Sequence, residues 1–199
     1  MTPDQSKRLQ ANLGVAADGI IGAGTLRALF ERMGAKTGLA VELGVASNVH
    51  FRTYGILENP ARLAHFMGQC AHESGGFVFM EEIWGPTAAQ RGYEGRKDLG
   101  NTVAGDGFRY KGRGPIQLTG RANYRKYGRD IGIDLEGHPE IAAVPSIGIL
   151  TACKYWCDHG CNELADRDDL EGITRRINGG VNGLADRKAR TAKAKGLVG

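Results

Sequence analysis

The chain contains no apolar run approaching the roughly 20 residues that a membrane-spanning helix needs. His72-Glu73 is not followed by the second histidine of H-E-x-x-H, because position 76 is Gly, and Ser74 does not sit in a G-x-S-x-G elbow. There is neither a P-loop nor a dinucleotide fingerprint. These absences remove zinc-protease, esterase-elbow and nucleotide-dependent chemistry from consideration. Four cysteines occur without a C-x-x-C pair. Cys153, Cys157 and Cys161 follow an i, i+4, i+8 helical spacing that could bring His159 into a zinc set, but reduced, half-buried thiols are the better reading, with neither metal nor cofactor expected. The start, Met1-Thr2-Pro3-Asp4-Gln5, lacks the basic and apolar parts of a signal peptide. Synthesis in the cytosol is therefore expected, with any extracytoplasmic target reached by another route. A net charge of +4 suits anionic wall polymers as well as it suits an ordinary surface, and it falls short of a nucleic-acid footprint.

What is present is mostly helical periodicity. With 199 residues the chain can bury one sizeable core and carry a small appendage. Residues 4–13 read as a short helix with Leu9 and Leu13 on one face. After the Asp18-Gly19 turn, Thr25 is placed to cap a second helix carrying Leu26, Leu29, Phe30 and Met33, and Gly34 stops it. Further helices are predicted from 37 to about 49, from Pro60 with Asn59 as cap, near 121–127, and at 146–158, 168–177 and 184–195. The glycine-rich stretch 92–120 has no helical period and reads as loops with short strands. This divides the chain into a helical segment over 1–34 and a main domain over 35–199.

Two acids stand out as candidates for chemistry. Glu73 lies seven residues after Phe66 and three after Cys70, beside the buried stripe of its helix and in the last turn before Gly75-Gly76. Partial burial and the negative end of the helix both favour a retained proton, which is what a general acid needs. Glu81-Glu82 follows within reach of the same region. In an extended segment these two face opposite sides, so only one of them, Glu81 or Glu82, enters a shared cleft. Paired carboxylates with different duties suit hydrolysis of a glycosidic bond. The block from Tyr110 to Gly120 supplies glycines for close backbone approach, with Gln117 and Thr119 on one face of an extended strand. Asn123 and Tyr124 follow within a turn, and Asn178-Gly179-Gly180 forms a third polar cluster.

H-E-S-G-G-F, then G-R-G-P-I-Q-L-T-G-R-A-N-Y, then I-N-G-G, in that order, resemble glycoside hydrolase family 19 over roughly residues 38–199. That family contains plant-type chitinases and a group of phage endolysins. The resemblance implies a mainly α, lysozyme-like (α+β) fold: a bilobed helical domain with a small strand-and-loop insert and a central cleft. It also implies an inverting mechanism. Residue by residue, Glu73 matches the general acid, Glu82 the general base of the endolysin branch, and Thr119 the hydroxyl that orients the attacking water. Gln117, Asn123 and Asn178 match sugar-binding positions, with Tyr110, Lys111 and Arg187 added to the substrate-binding set; Arg187 stands where the family keeps a structural arginine near the cleft. The chain lacks the long loops and disulfides of plant enzymes, and Trp84-Gly85-Pro86-Thr87 departs from the family pattern. Separately, Asp18-Gly19-Ile20-Ile21-Gly22-Ala23-Gly24-Thr25 resembles the D-G-x-x-G-x-x-T signature of peptidoglycan-binding modules. It is equally readable as a helical hairpin packed on the main domain.

Together these lead to an expected endolysin of muramidase or lysozyme type that cuts peptidoglycan glycan strands during host-cell lysis. It would act as a monomer, depend on a holin to reach the wall, and need no nucleic-acid partner. The alternatives are a chitinase and a non-catalytic wall-binding protein. Retention of both Glu73 and Glu82 argues against the latter. The basic run Arg187–Lys195 reads mainly as a solvated helix face.

Overall fold

A computed structural model describes all 199 residues. The helices are α1 (Pro3–Leu13), α2 (Ala23–Met33), α3 (Thr37–Thr53), α4 (Pro60–Glu73), α5 (Ala88–Arg91), α6 (Asp106–Arg109), α7 (Arg121–Ile131), α8 (Pro145–Asp158), α9 (Cys161–Asp166), α10 (Leu170–Asn178) and α11 (Leu184–Val198). Short 3-10 turns occupy Lys97–Leu99 and Pro139–Ala143. No helix is long and apolar enough to cross a membrane.

α4 runs through the middle of the larger lobe. Asn59 caps it by accepting the Arg62 N–H at 2.9 Å, Pro60 takes the first position, and every residue from Leu63 to Ala71 is buried. Its closest neighbour is α11. A Cβ built on Gly68 would lie 2.2 Å from the Thr191 hydroxyl and 2.7 Å from its Cα, so glycine is what lets the two helices touch. A chain of rings, Phe77, Phe30, Phe51, Phe66 and Trp156, threads the core with centroids 4.9, 6.3, 5.0 and 5.3 Å apart. These contacts are mostly edge-to-face, the arrangement aromatic quadrupoles prefer. Trp156 keeps its indole N–H satisfied on Asn162 Oδ1 at 2.8 Å.

The first 34 residues contribute to this same core through Leu9, Leu13, Leu26, Leu29, Phe30 and Met33. The N-terminal amine bonds the Leu57 and Glu58 carbonyls, and Asn12 donates to the Leu197 carbonyl at 3.0 Å. The D-G-x-x-G-x-x-T stretch serves the hairpin itself. Asp18 Oδ1 accepts the Ile20 N–H at 2.8 Å and the buried Gln10 amide at 2.7 Å, and Gln10 also reaches Thr25. Thr25 is therefore inside α2, which begins after Gly22 with no side-chain cap.

The smaller lobe has its own core of Tyr110, Leu118, Tyr124, Tyr127, Leu135 and Ala142. The expected strands are reduced to two isolated antiparallel bridges, Glu81 with Arg113 and Arg113 with Leu118. Ion pairing replaces the missing ladder: the buried Asp106 accepts Arg121 at 2.5 Å together with the N–H groups of Thr102 and Val103. Tyr155 on α8 packs against both cores and marks where the lobes meet. The cysteine spacing does not form one face, because α8 ends at Asp158 and Cys161 begins α9. All four thiols are free; Cys70, Cys153 and Cys161 are buried and Cys157 is half-buried. Burial pushes the thiols of Cys70 and Cys153 well above the ordinary cysteine value.

Candidate active site

Glu73 closes α4, and the chain after it is folded back by local hydrogen bonds. Ser74 donates to the Cys70 carbonyl at 2.6 Å and accepts the Phe77 N–H at 2.9 Å. Phe77 adopts a left-handed φ of 61°, uncommon without glycine, and returns to the core fully buried. This leaves the Glu73 side chain 19% exposed at the helix end. Arg187, only 2% exposed on α11, donates to Glu73 Oε1 at 2.5 Å and to Gln69 Oε1 at 2.6 Å. Gln69 is itself buried and donates to Thr174 on α10 at 3.2 Å. The carboxyl that ends α4 is thus backed by a buried guanidinium. The arginine occupies Oε1, which leaves Oε2 as the oxygen free to carry a proton. On the outer side, His72 Nδ1 and Arg190 both lie 2.6 Å from Asp186 Oδ2.

The facing wall belongs to the smaller lobe. Glu82 Oε1 accepts the Gln90 amide at 2.9 Å and lies 3.5 Å from the Tyr93 hydroxyl, while Oε2 accepts the Gly112 N–H at 3.0 Å. No cation touches it. Its neighbour Glu81 turns the other way, with Arg113 at 2.9 Å and Lys111 at 3.2 Å. Burial alone would raise the Glu81 carboxyl, but Lys111 and Arg113 hold it below the ordinary glutamate value.

Between these walls lies a cleft of about 480 Å³ lined by Glu73, Glu82, Gln117, Thr119, Asn123 and Asn178, with Tyr93 and Tyr155 among the remaining residues. Three segments distant in sequence therefore converge on one cavity. Gln117 is not on a strand: it sits in a tight turn at a left-handed φ of 53°, and its amide donates to the Gly114 carbonyl at 2.9 Å. A non-glycine residue held in that region next to a cleft is the kind of local strain found at functional sites. Thr119 Oγ1 donates to the Gln117 carbonyl at 2.9 Å, so its lone pairs remain available to a water. Asn123 donates to the Thr119 carbonyl at 2.8 Å, which leaves its own carbonyl oxygen free.

Three expected substrate contacts lie elsewhere. Tyr110 is 1% exposed in the smaller core and donates to the Glu136 carbonyl at 3.1 Å. Lys111 is 8% exposed, pairs with Glu81, and sits 4.7 Å over the Phe108 ring. Arg187 stands behind Glu73 rather than in the cavity. The glycine pattern that marked this region is a folding requirement for the turn and does not by itself bring every neighbour to the cleft. Conversely, sequence reasoning passed over Tyr93, Tyr155 and Gln90. Tyr93 and Gln90 lie in aperiodic chain, and Tyr155 looks like one more apolar position on α8. Burial raises the phenol of Tyr93 above its ordinary value, and Glu82 adds to this, so the residue faces the cleft as a neutral hydroxyl.

The family described as class I chitinase, glycoside hydrolase family 19, matches residues 45–172. A glycosyl hydrolase family 19 domain-containing protein of Haemophilus influenzae is 36% identical over 157 residues, which covers 65% of this chain and 76% of that protein. Acidic endochitinase Q of Nicotiana tabacum is 32% identical over 140 residues, 60% of this chain and 51% of the tobacco protein. The chain spans about half the length of the plant chitinases it matches. Among solved structures, chitinase C from Streptomyces griseus superposes with a TM-score of 0.66 at 19% identity, covering 89% of this chain and 92% of that one. At that identity the likeness establishes the fold, a mainly α one.

Proposed function

The chain belongs to glycoside hydrolase family 19, and from that premise we propose that it cleaves the glycan strand of bacterial peptidoglycan by an inverting two-carboxylate mechanism, with Glu73 as acid and Glu82 as base. The observation that carries this reading is the convergence of both carboxylates, with Thr119, on one cleft. Glu73 protonates the glycosidic oxygen from Oε2. Arg187 then stabilises the negative charge left on the Glu73 carboxylate, the kind of preorganised electrostatic support that matters most in a shielded site. On the opposite face of the sugar, Glu82 takes a proton from a water that also donates to the Thr119 oxygen. Inversion needs room for that water, with the carboxyls about 6.5–9.5 Å apart. Gln117, Asn123 and Asn178 offer amide groups to sugar hydroxyls and N-acetyl groups.

Peptidoglycan is supported by the N-terminal likeness to wall-binding modules and by a net charge of +4, which suits an anionic polymer. In this reading the protein is a lytic endolysin made in the host cytoplasm that reaches the wall with a holin. The plant relatives named chitinases favour a second reading, hydrolysis of poly-N-acetylglucosamine. Mass spectrometry of products from purified sacculi and from chitin oligosaccharides decides between them. Muropeptides with a new reducing-end N-acetylmuramic acid are expected. Cleavage of chitin alone overturns the peptidoglycan reading, and release of free peptides overturns the glycosidase reading.

A further inference from the structure

The loop after Glu82 is organised around one buried side chain. Gln90, on the single-turn α5, is 5% exposed and has every hydrogen-bonding group of its amide engaged. Its Nε2 donates to Glu82 Oε1 at 2.9 Å and to the Ile83 carbonyl at 2.8 Å. Its Oε1 accepts the N–H groups of Thr87 at 2.8 Å and Gly85 at 3.1 Å. The donor end therefore faces the carboxylate and the acceptor end gathers the loop that follows it.

From this geometry we infer that Gln90 is a positioning residue for the water-activating step: it fixes Glu82 as a hydrogen-bond acceptor in the cleft without bringing a positive charge to it. The inference rests on the assignment of Glu82 as the base. A carboxylate that must accept a proton from water has to be held still and kept basic. A cation does the first and opposes the second, whereas a neutral amide does the first alone. The neighbouring pair displays both arrangements: Glu81 is held by Arg113 and Lys111, and Glu82 by the Gln90 amide and the Gly112 N–H. With one N–H on each oxygen, the lone pairs of Glu82 not already engaged are those left for substrate water.

Gln90→Glu is a discriminating variant, because it keeps an acceptor for Thr87 and Gly85 and replaces only the donor with a second carboxylate facing Glu82. Gln90→Met removes donor and acceptor at similar volume. Each variant is assayed for reducing-end release across pH, on whichever of sacculi or chitin oligosaccharides the parent cleaves. The expected result is a kcat lower by roughly 10- to 100-fold and an acid limb displaced to higher pH, by roughly one pH unit for Gln90→Glu. A parental acid limb in a folded Gln90→Glu or Gln90→Met protein overturns the proposal, even if KM or the melting temperature changes. So does loss of fold in both variants, which would make Gln90 a keystone of the loop and nothing more. Glu82→Gln in the same assay separates the two layers. An active Glu82→Gln protein sinks the base assignment, whereas an inactive one beside unaltered Gln90 variants sinks only the positioning role.

Discussion

The two walls of the cleft hold the same kind of side chain by opposite means. On the larger lobe, Glu73 ends a fourteen-residue helix and is backed by a buried cation, which is held by Gln69, itself anchored on Thr174. On the smaller lobe, Glu82 lies outside any regular element and is met only by neutral donors, from Gln90 and Gly112 and, at longer range, Tyr93. The difference fits a division of labour. A group that becomes negative during the reaction gains from a fixed positive charge nearby, whereas a group that must attract a proton gains from donors that orient it without neutralising it.

The largest effect tests whether both walls take part in chemistry. Glu73→Gln and Glu82→Gln should each lower turnover by roughly 100- to 10,000-fold, the usual contribution of a general acid or base, while both proteins still bind and co-sediment with the substrate. They should differ in folding. Glu73→Gln leaves Arg187 buried beside a neutral partner and should lower the urea midpoint, while Glu82→Gln, met by no cation, should shift it less. Equal loss of activity with equal stability would break the proposed asymmetry.

A second effect isolates the cation. Arg187→Met removes the partner of both Glu73 and Gln69 in a site that is 2% exposed. Breaking such a pair from one side typically costs about 3–5 kcal/mol, measurable by urea denaturation, and activity should fall with it. Arg187→Lys sharpens the point. It restores the charge but cannot reach Gln69 and Glu73 together as a planar fork does, so stability should recover only in part and activity should stay well below the parent.

How far these features could be read in advance differs between the lobes. α4 was legible because Asn59-Pro60, the stripe Leu63-Phe66-Met67-Cys70 and Gly75-Gly76 all say the same thing about where a helix starts, faces and stops. The smaller lobe carries no such agreement. Its order comes from side chains reaching across the sequence, such as Asp106 to Arg121 and Gln90 to Glu82, and no local period records them. Thr25 shows the limit within a helix as well: it suits a cap by type, yet Gln10 draws it inside α2. Glu73, Glu82, Thr119, Gln117, Asn123 and Asn178 were recoverable from motif order and meet in the cleft. Arg187 was placed near the site, but its contact with Glu73 follows from the packing of α4 on α11 through Gly68.

The smallest effect concerns two adjacent glutamates in one segment. Glu81→Gln should leave the rate and its acid limb near the parent, because the carboxylate points away from the cleft onto Arg113 and Lys111. Its cost should appear in stability instead. The side chain is 44% exposed, so solvent screens the pair and the loss at neutral pH should not exceed about 1 kcal/mol. Its sign with pH follows from the carboxyl being held below the ordinary value despite burial. The stabilisation is fully present above the unfolded-state value and is lost as the pH falls through the lower folded-state value. Parent and variant should therefore differ in melting temperature at neutral pH and converge in acid. If Glu81→Gln instead displaced the acid limb of activity, the two glutamates would have exchanged duties, and the wall built on neutral donors would no longer be the one that activates water.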